Sequence, residues 1–160
     1  MSIRAAVLSL AGGPWYLPGM QDIKELLPHR EPFLFVDRLE KAEKDEVIGY
    51  RRFTEADFFF PGHFPKYPVV PGVILIETLA QCGGAGARIV TGNPGLFFLA
   101  SLDKVKFRRQ VKPGEEVRMV IQNLRVTKMM VRQSGKAFVG DELAAEAEWL
   151  CLIGGGEPPA

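Results

Sequence analysis

Pro61-Gly62-His63-Phe64-Pro65-Lys66-Tyr67-Pro68-Val69-Val70-Pro71-Gly72-Val73-Ile74-Leu75-Ile76-Glu77-Thr78-Leu79-Ala80-Gln81 is the stretch on which the reading of this chain turns. Pro65, Pro68 and Pro71 fix their own φ and push the residue before each toward extended backbone, so His63 sits on a restrained loop. Pro71 suits the first turn of a helix, where its missing N–H costs nothing. Val73, Ile74, Leu75, Ile76, Leu79 and Ala80 are apolar almost all the way round, which predicts a buried helix over residues 71–91. Glu77 lies inside it, one turn from Ile74 and from Gln81. The second half of the helix is small: Ala80, Gly83, Gly84, Ala85, Gly86, Ala87. Each helical glycine costs about 1 kcal/mol, so these imply a sheet wrapped tightly against the helix. Thr91-Gly92-Asn93-Pro94-Gly95 is a strong stop signal.

A buried ionised glutamate is expensive, so Glu77 is expected to pair or to keep its proton. A carboxylic acid that holds its proton near neutral pH can donate it. His63, with an unperturbed pKa of about 6.5, can accept one. The free N–H groups of the first helical turn, that of Gly72 included, can polarise a carbonyl with help from the helix dipole. Base, acid and carbonyl-polarising donor are the parts needed to eliminate water β to a carbonyl. A loop histidine and a helix glutamate are more often structural residues, so spacing alone leaves both readings open.

The chain has 160 residues, 47% of them hydrophobic, enough for one globular domain. Its net charge of +1 gives no general case for nucleic acid or a membrane surface as partner. Cys82 and Cys151 lie in apolar runs without companions at metal-ligand spacing, so free buried thiols and a reducing cytoplasm are expected. No run approaches the ~18 apolar residues of a membrane span. Residues 1–19 read as an N-terminal extension, residues 20–153 as the domain, and residues 154–160 as a flexible tail rich in Gly and Pro.

Asp22 to Leu27 fits a short helix stopped by Pro28. His29 reads as a structural hydrogen-bonder rather than a catalyst, having no evident carboxylate partner nearby in sequence. Strands are expected at 33–39, 47–53, 96–108, 116–131, from after Gln133-Ser134-Gly135 to Val139, and at the end, where Leu143, Ala145, Ala147, Trp149 and Cys151 alternate with Glu146 and Glu148. Phe58-Phe59-Phe60 packs the core or lines a site for an apolar chain. One long helix and five or six antiparallel strands give an α+β domain with its sheet curled round the helix. Lys104, Lys106, Arg108, Arg109 and Lys112 crowd one strand and the following turn, as a solvated face or as a docking strip for an acidic partner.

Several segments resemble the bacterial β-hydroxyacyl-acyl carrier protein dehydratases of type II fatty acid synthesis, the (3R)-hydroxymyristoyl-ACP dehydratase type. They are Leu26-Leu27-Pro28-His29-Arg30, Pro32-Phe33-Leu34, Val36-Asp37-Arg38, Gly62-His63-Phe64-Pro65, Pro71-Gly72-Val73 through Glu77, Ala80-Gln81, Lys106-Phe107-Arg108-Arg109, Val111, Pro113-Gly114 and Ala145-Glu146-Ala147-Glu148. The likeness covers about residues 20–153. It implies a hot-dog fold, paired into homodimers and commonly into hexamers as trimers of dimers, with His63 of one subunit beside Glu77 of its neighbour. It further implies a (3R)-3-hydroxyacyl substrate on the phosphopantetheine arm of acyl carrier protein, and no metal or cofactor. By the same resemblance His63 would take the C2 proton, the Gly72 N–H would steady the enolate, and Glu77, supported by Gln81, would protonate the leaving hydroxyl. Phe59, Phe64, Val73 and Ile74 are expected along the substrate tunnel, with Lys104, Lys106, Arg108 and Arg109 docking the carrier. Glu77 itself fits the dehydratase rather than the related dehydratase-isomerase, which carries aspartate there. Lys66-Tyr67 departs from the family's usual Gly-His or Gly-Asn. The competing readings are a hot-dog acyl thioesterase, a paralogous dehydratase of specialised acyl or polyketide assembly, and a non-catalytic acyl-binding protein.

Overall fold

The computed structural model describes residues 22–155. The expectations for residues 1–19 and for most of the tail lie outside that range. Helix α1 (Ile23–Leu26) starts at Asp22, whose carboxylate accepts the Lys24 N–H at 2.9 Å, and it buries Ile23 and Leu26. Strands β1 (Arg38–Ala42) and β2 (Glu46–Arg52) follow as a hairpin. After a 3₁₀ turn at Phe60–Gly62 comes helix α2 (Gly72–Thr91), then β3 (Leu96–Phe107), β4 (Glu116–Val126), β5 (Met130–Val139) and β6 (Glu142–Gly154). The six strands make one antiparallel sheet in the order β1-β2-β4-β5-β6-β3.

Helix α2 touches all six strands, so the sheet curls around it. The small residues make this approach possible. A Cβ on Gly86 would overlap the Val47 side chain, and one on Gly83 would overlap the Gln133 amide. Gly92, at φ 65°, closes the helix through its N–H to the Arg88 carbonyl. By length and composition α2 could cross a bilayer, contrary to the reading that no run comes close, but 67% of that window is buried in the fold. Its first turn is not enclosed: Val73 is 72% exposed, and burial sets in at Leu75.

Three expected elements differ. Residues 33–37 are a loop rather than the start of a strand. Leu34, Phe35 and Val36 are buried, but the Phe33 carbonyl and the Phe35 N–H bond to the Gln81 side chain of α2, and a strand is met only at Asp37, whose N–H reaches the Tyr50 carbonyl of β2. The strand expected over 116–131 is broken by a hairpin at Thr127-Lys128-Met129. There Thr127 Oγ1 accepts the N–H groups of Met129 and Met130, a turn closed by a hydroxyl with no Gly or Pro to mark it. Gln133-Ser134-Gly135, after which the next strand is expected, is instead the middle of β5. Gln133 is buried because its amide donates to the Gly83 carbonyl at 3.0 Å and to Asn123 at 2.7 Å, and accepts from the Trp149 indole at 3.0 Å. Gly135 leaves room for the Trp149 ring. The last strand extends through Gly154, one residue into the expected tail.

Candidate active site

Glu77 projects from α2 into a cavity of about 180 Å³. One stripe of the helix, Glu77, Ala80, Gln81, Gly84 and Arg88, forms a wall of it. Leu27 and His29 after α1, Phe97 and Leu99 on β3, and Cys151 on β6 line other sides. Glu77 is held rather than free, with its side chain 23% exposed. Its Oε1 accepts a hydrogen bond from Gln81 Nε2 at 3.0 Å and lies 3.7 Å from His29 Nε2. Gln81, 2% exposed, also donates to the Phe33 carbonyl at 3.1 Å and accepts the Phe35 N–H at 2.8 Å. Gln81 thus joins Glu77 to the loop at Phe33 and Phe35.

His29 has a carboxylate partner after all, 48 residues away in sequence. Burial holds its pKa below the ordinary histidine value, opposed by the charge of Glu77 and aided by that of Arg30. The one sequence signal was its place in Leu-Pro-His-Arg, which gave no hint of which helix it would face. Burial, reinforced by Glu77, raises the Cys151 thiol to about 11, so it is an uncharged part of the wall.

His63 sits after the 3₁₀ turn, its Nδ1 2.9 Å from the Val69 carbonyl. A carbonyl can only accept, so in the neutral ring Nδ1 carries the hydrogen and Nε2 keeps its lone pair, the form a base needs. The loop is closed on itself by mutual backbone bonds of Phe64 and Tyr67, and by Val69 N–H to the His63 carbonyl. His63 does not line the cavity that holds Glu77. Gly72 opens α2 with Pro71 as N-cap, and the Phe107 ring lies where a Cβ would stand, 2.7 Å away.

The expected tunnel residues are not gathered around Glu77 within one protomer. Phe59 belongs to the aromatic core with Phe35, Phe53 and Phe60, and the exposed Phe58 meets its ring edge-on. Phe64 and Val73 are exposed, and Ile74 packs partly buried on the core. The basic strip is largely paired on its own sheet: Lys104 with Glu148 at 2.9 Å, Arg108 with Glu146 at 3.2 Å, and Arg109 with both Glu115 and Glu142. Lys104 also borders a larger open groove of about 500 Å³ on the outer sheet face, which contains neither His63 nor Glu77. Among the described residues no three His, Cys, Asp or Glu side chains cluster as metal ligands.

A long helix wrapped by a curled six-stranded antiparallel sheet defines the hot-dog class. The dehydratase heterocomplex ApeI:P from Xenorhabdus doucetiae shares this architecture at a TM-score of 0.73 and 16% identity, over 88% of this chain and 93% of that one. Thioesterase superfamily member 2 from Mus musculus shares it at 0.56 and 16%, over 72% and 80%. Within that class, the model of the FabA-like domain matches residues 27–148. The chain is 46% identical over 134 residues to the 3-hydroxyacyl-[acyl-carrier-protein] dehydratase FabZ of Desulforamulus reducens, covering 82% of this chain and 94% of that protein. Against the FabZ of Bacillus subtilis it is 41% identical over 136 residues, covering 84% and 96%. The chain belongs to the FabA-like family, on its 3-hydroxyacyl-[acyl-carrier-protein] dehydratase branch.

Proposed function

We propose that this protein removes water from (3R)-3-hydroxyacyl chains carried as thioesters on acyl carrier protein, giving trans-2-enoyl chains for fatty acid synthesis in the cytoplasm. His63 Nε2 takes the C2 proton, and the Gly72 N–H holds the thioester oxygen as charge develops on it. Glu77 gives its proton to the C3 hydroxyl, which leaves as water while the C2–C3 double bond forms. The carrying observation is the pair of prepared groups: an imidazole whose Nε2 is left basic by the Val69 carbonyl, and a carboxyl held at the wall of a largely apolar cavity. No step of this elimination calls for a metal or cofactor.

His63 lies outside the Glu77 cavity, so the complete site is assigned to two copies, His63 of one beside Glu77 of the other. Strand β3 supports this pairing, because it is a twelve-residue sheet edge with Phe98, Leu99, Leu102 and Phe107 exposed. Three such dimers would form the hexamer, with Lys104, Lys106, Arg108 and Arg109 steering the acidic carrier. The test is incubation with 3-hydroxybutyryl-acyl carrier protein followed by mass spectrometry of the carrier. Loss of 18 mass units, about one water, with the thioester intact supports dehydration by this acid–base pair. Free acid and bare carrier would mean a thioesterase, and an unchanged carrier a binding protein. His63→Ala is expected to lower kcat by about 10²- to 10⁴-fold in folded protein.

A further inference from the structure

We infer that His29 is a positioning residue for Glu77: together with Gln81 it holds carboxyl oxygen Oε1, and so reserves Oε2 for the proton given to the substrate. This rests on the reading of Glu77 as the acid. Two anchors set the loop that carries His29. The Arg30 guanidinium donates to the carbonyls of Leu27 at 2.9 Å, His29 at 2.7 Å and Lys24 at 3.2 Å, which fixes the turn after α1. Three and five residues on, Gln81 clamps the backbone of Phe33 and Phe35 to α2. Between these anchors the His29 ring stacks on Phe33, centroids 6.5 Å apart, and points Nε2 at Glu77 Oε1.

At 3.7 Å that contact is longer than a hydrogen bond, and a shift of under about 1 Å closes it, as such contacts commonly do when substrate binds. Burial favours the neutral ring, and Oε1 can only accept from it, so Nε2 carries the hydrogen. Nδ1 then keeps a lone pair, and it has no hydrogen-bond partner among the described residues. When Oε2 releases its proton, negative charge spreads over both oxygens. Donors waiting at Oε1 stabilise the carboxylate as it forms, an interaction stronger in the transition state than before it. The other ionisable groups around Glu77 in its own protomer are Arg30 beside His29, Arg88 farther along α2, and Cys151 on β6, and the two-copy site adds His63 of the other copy.

The experiment measures kcat, KM and the pH dependence of kcat for His29→Leu, His29→Phe, His29→Gln and Glu77→Gln with 3-hydroxyacyl-carrier protein. His29→Phe keeps the ring stacked on Phe33 if the leucine variant folds poorly. The two variants without a donor should lose on the order of 10- to 100-fold in kcat, less than removal of a direct oxyanion donor, with KM within about twofold. The alkaline limb of their kcat profiles should move to higher pH, because the carboxylate has lost a stabilising donor. His29→Gln should restore most of the rate and the limb. Wild-type kcat and profile in His29→Phe, or a His29→Gln as impaired as the phenylalanine, would overturn the role. Rates that only track the folded fraction, with the limb unmoved, would reduce His29 to packing and overturn it as well. A fully active Glu77→Gln would instead remove the acid itself, and with it the reading on which this role depends.

Discussion

Arg109 holds two carboxylates, Glu115 at 2.8 Å and Glu142 at 2.9 Å, and its guanidinium draws Glu115 down to about 2. Folding thus makes Glu115 a stronger acid, and the stabilisation is complete above the unfolded value of 4.5 and fades as pH falls toward 2. His29 works in the same direction in a higher window. Its folded pKa lies below 6.5, so as pH drops through 6.5 the unfolded chain takes up a proton that the folded one resists. The urea midpoint should therefore fall between pH 7 and 5, and less steeply in His29→Gln. Between pH 4.5 and 2 the Glu115→Gln curve should be flatter than wild type. Parallel curves in either window would mean that the residue in question does not link folding to protons. The pairing also bears on Lys104, Arg108 and Arg109 as a docking strip, because each already faces a carboxylate and an acidic partner must compete with it. Lys106 is exposed and appears in none of these ion pairs.

Helix α2 is built to be approached. Gly86 meets Val47 of β2 and Gly83 meets Gln133 of β5, and both contacts leave no room for a methyl group. Gly86→Ala raises helix propensity by about 1 kcal/mol but forces an overlap that typically costs about 1–3 kcal/mol. A net loss is expected by urea denaturation. In a double-mutant cycle with Val47→Ala, the two changes should couple by more than about 0.5 kcal/mol, because the smaller partner relieves the overlap. Additive losses would show that the sheet can move away from the helix. The helix, its stop and its small face were legible because proline, glycine and apolar spacing act locally. The turn at Thr127-Lys128-Met129 and the strand residue Gln133 were not, because a hydroxyl closed the one and Gly83, Asn123 and Trp149 decided the other.

At the scale of the whole molecule, one protomer leaves β3 as an open edge and keeps His63 out of the Glu77 cavity. If two copies share each site, inactive His63→Ala and Glu77→Gln proteins mixed after full subunit exchange should recover about a quarter of wild-type activity, since half the dimers are mixed and each holds one intact site of two. No recovery, with exchange confirmed by mass, would place base and acid within one protomer. The same copy-to-copy contact would cover Phe98, Leu102 and Phe107, so dilution should cost activity and thermal stability together.

By itself the sequence determined the central helix, the restrained loop with its histidine and the α+β class, because prolines, glycines and the apolar period set these over a few neighbouring residues; His63 and Glu77 it offered only as a candidate pair. Gln81 stands one helical turn from Glu77, and the tertiary structure alone decided what joins the two. Phe33, Phe35 and His29 meet them because the loop after α1 folds back across α2. That is a contact between segments 48 residues apart, and no local spacing encodes it.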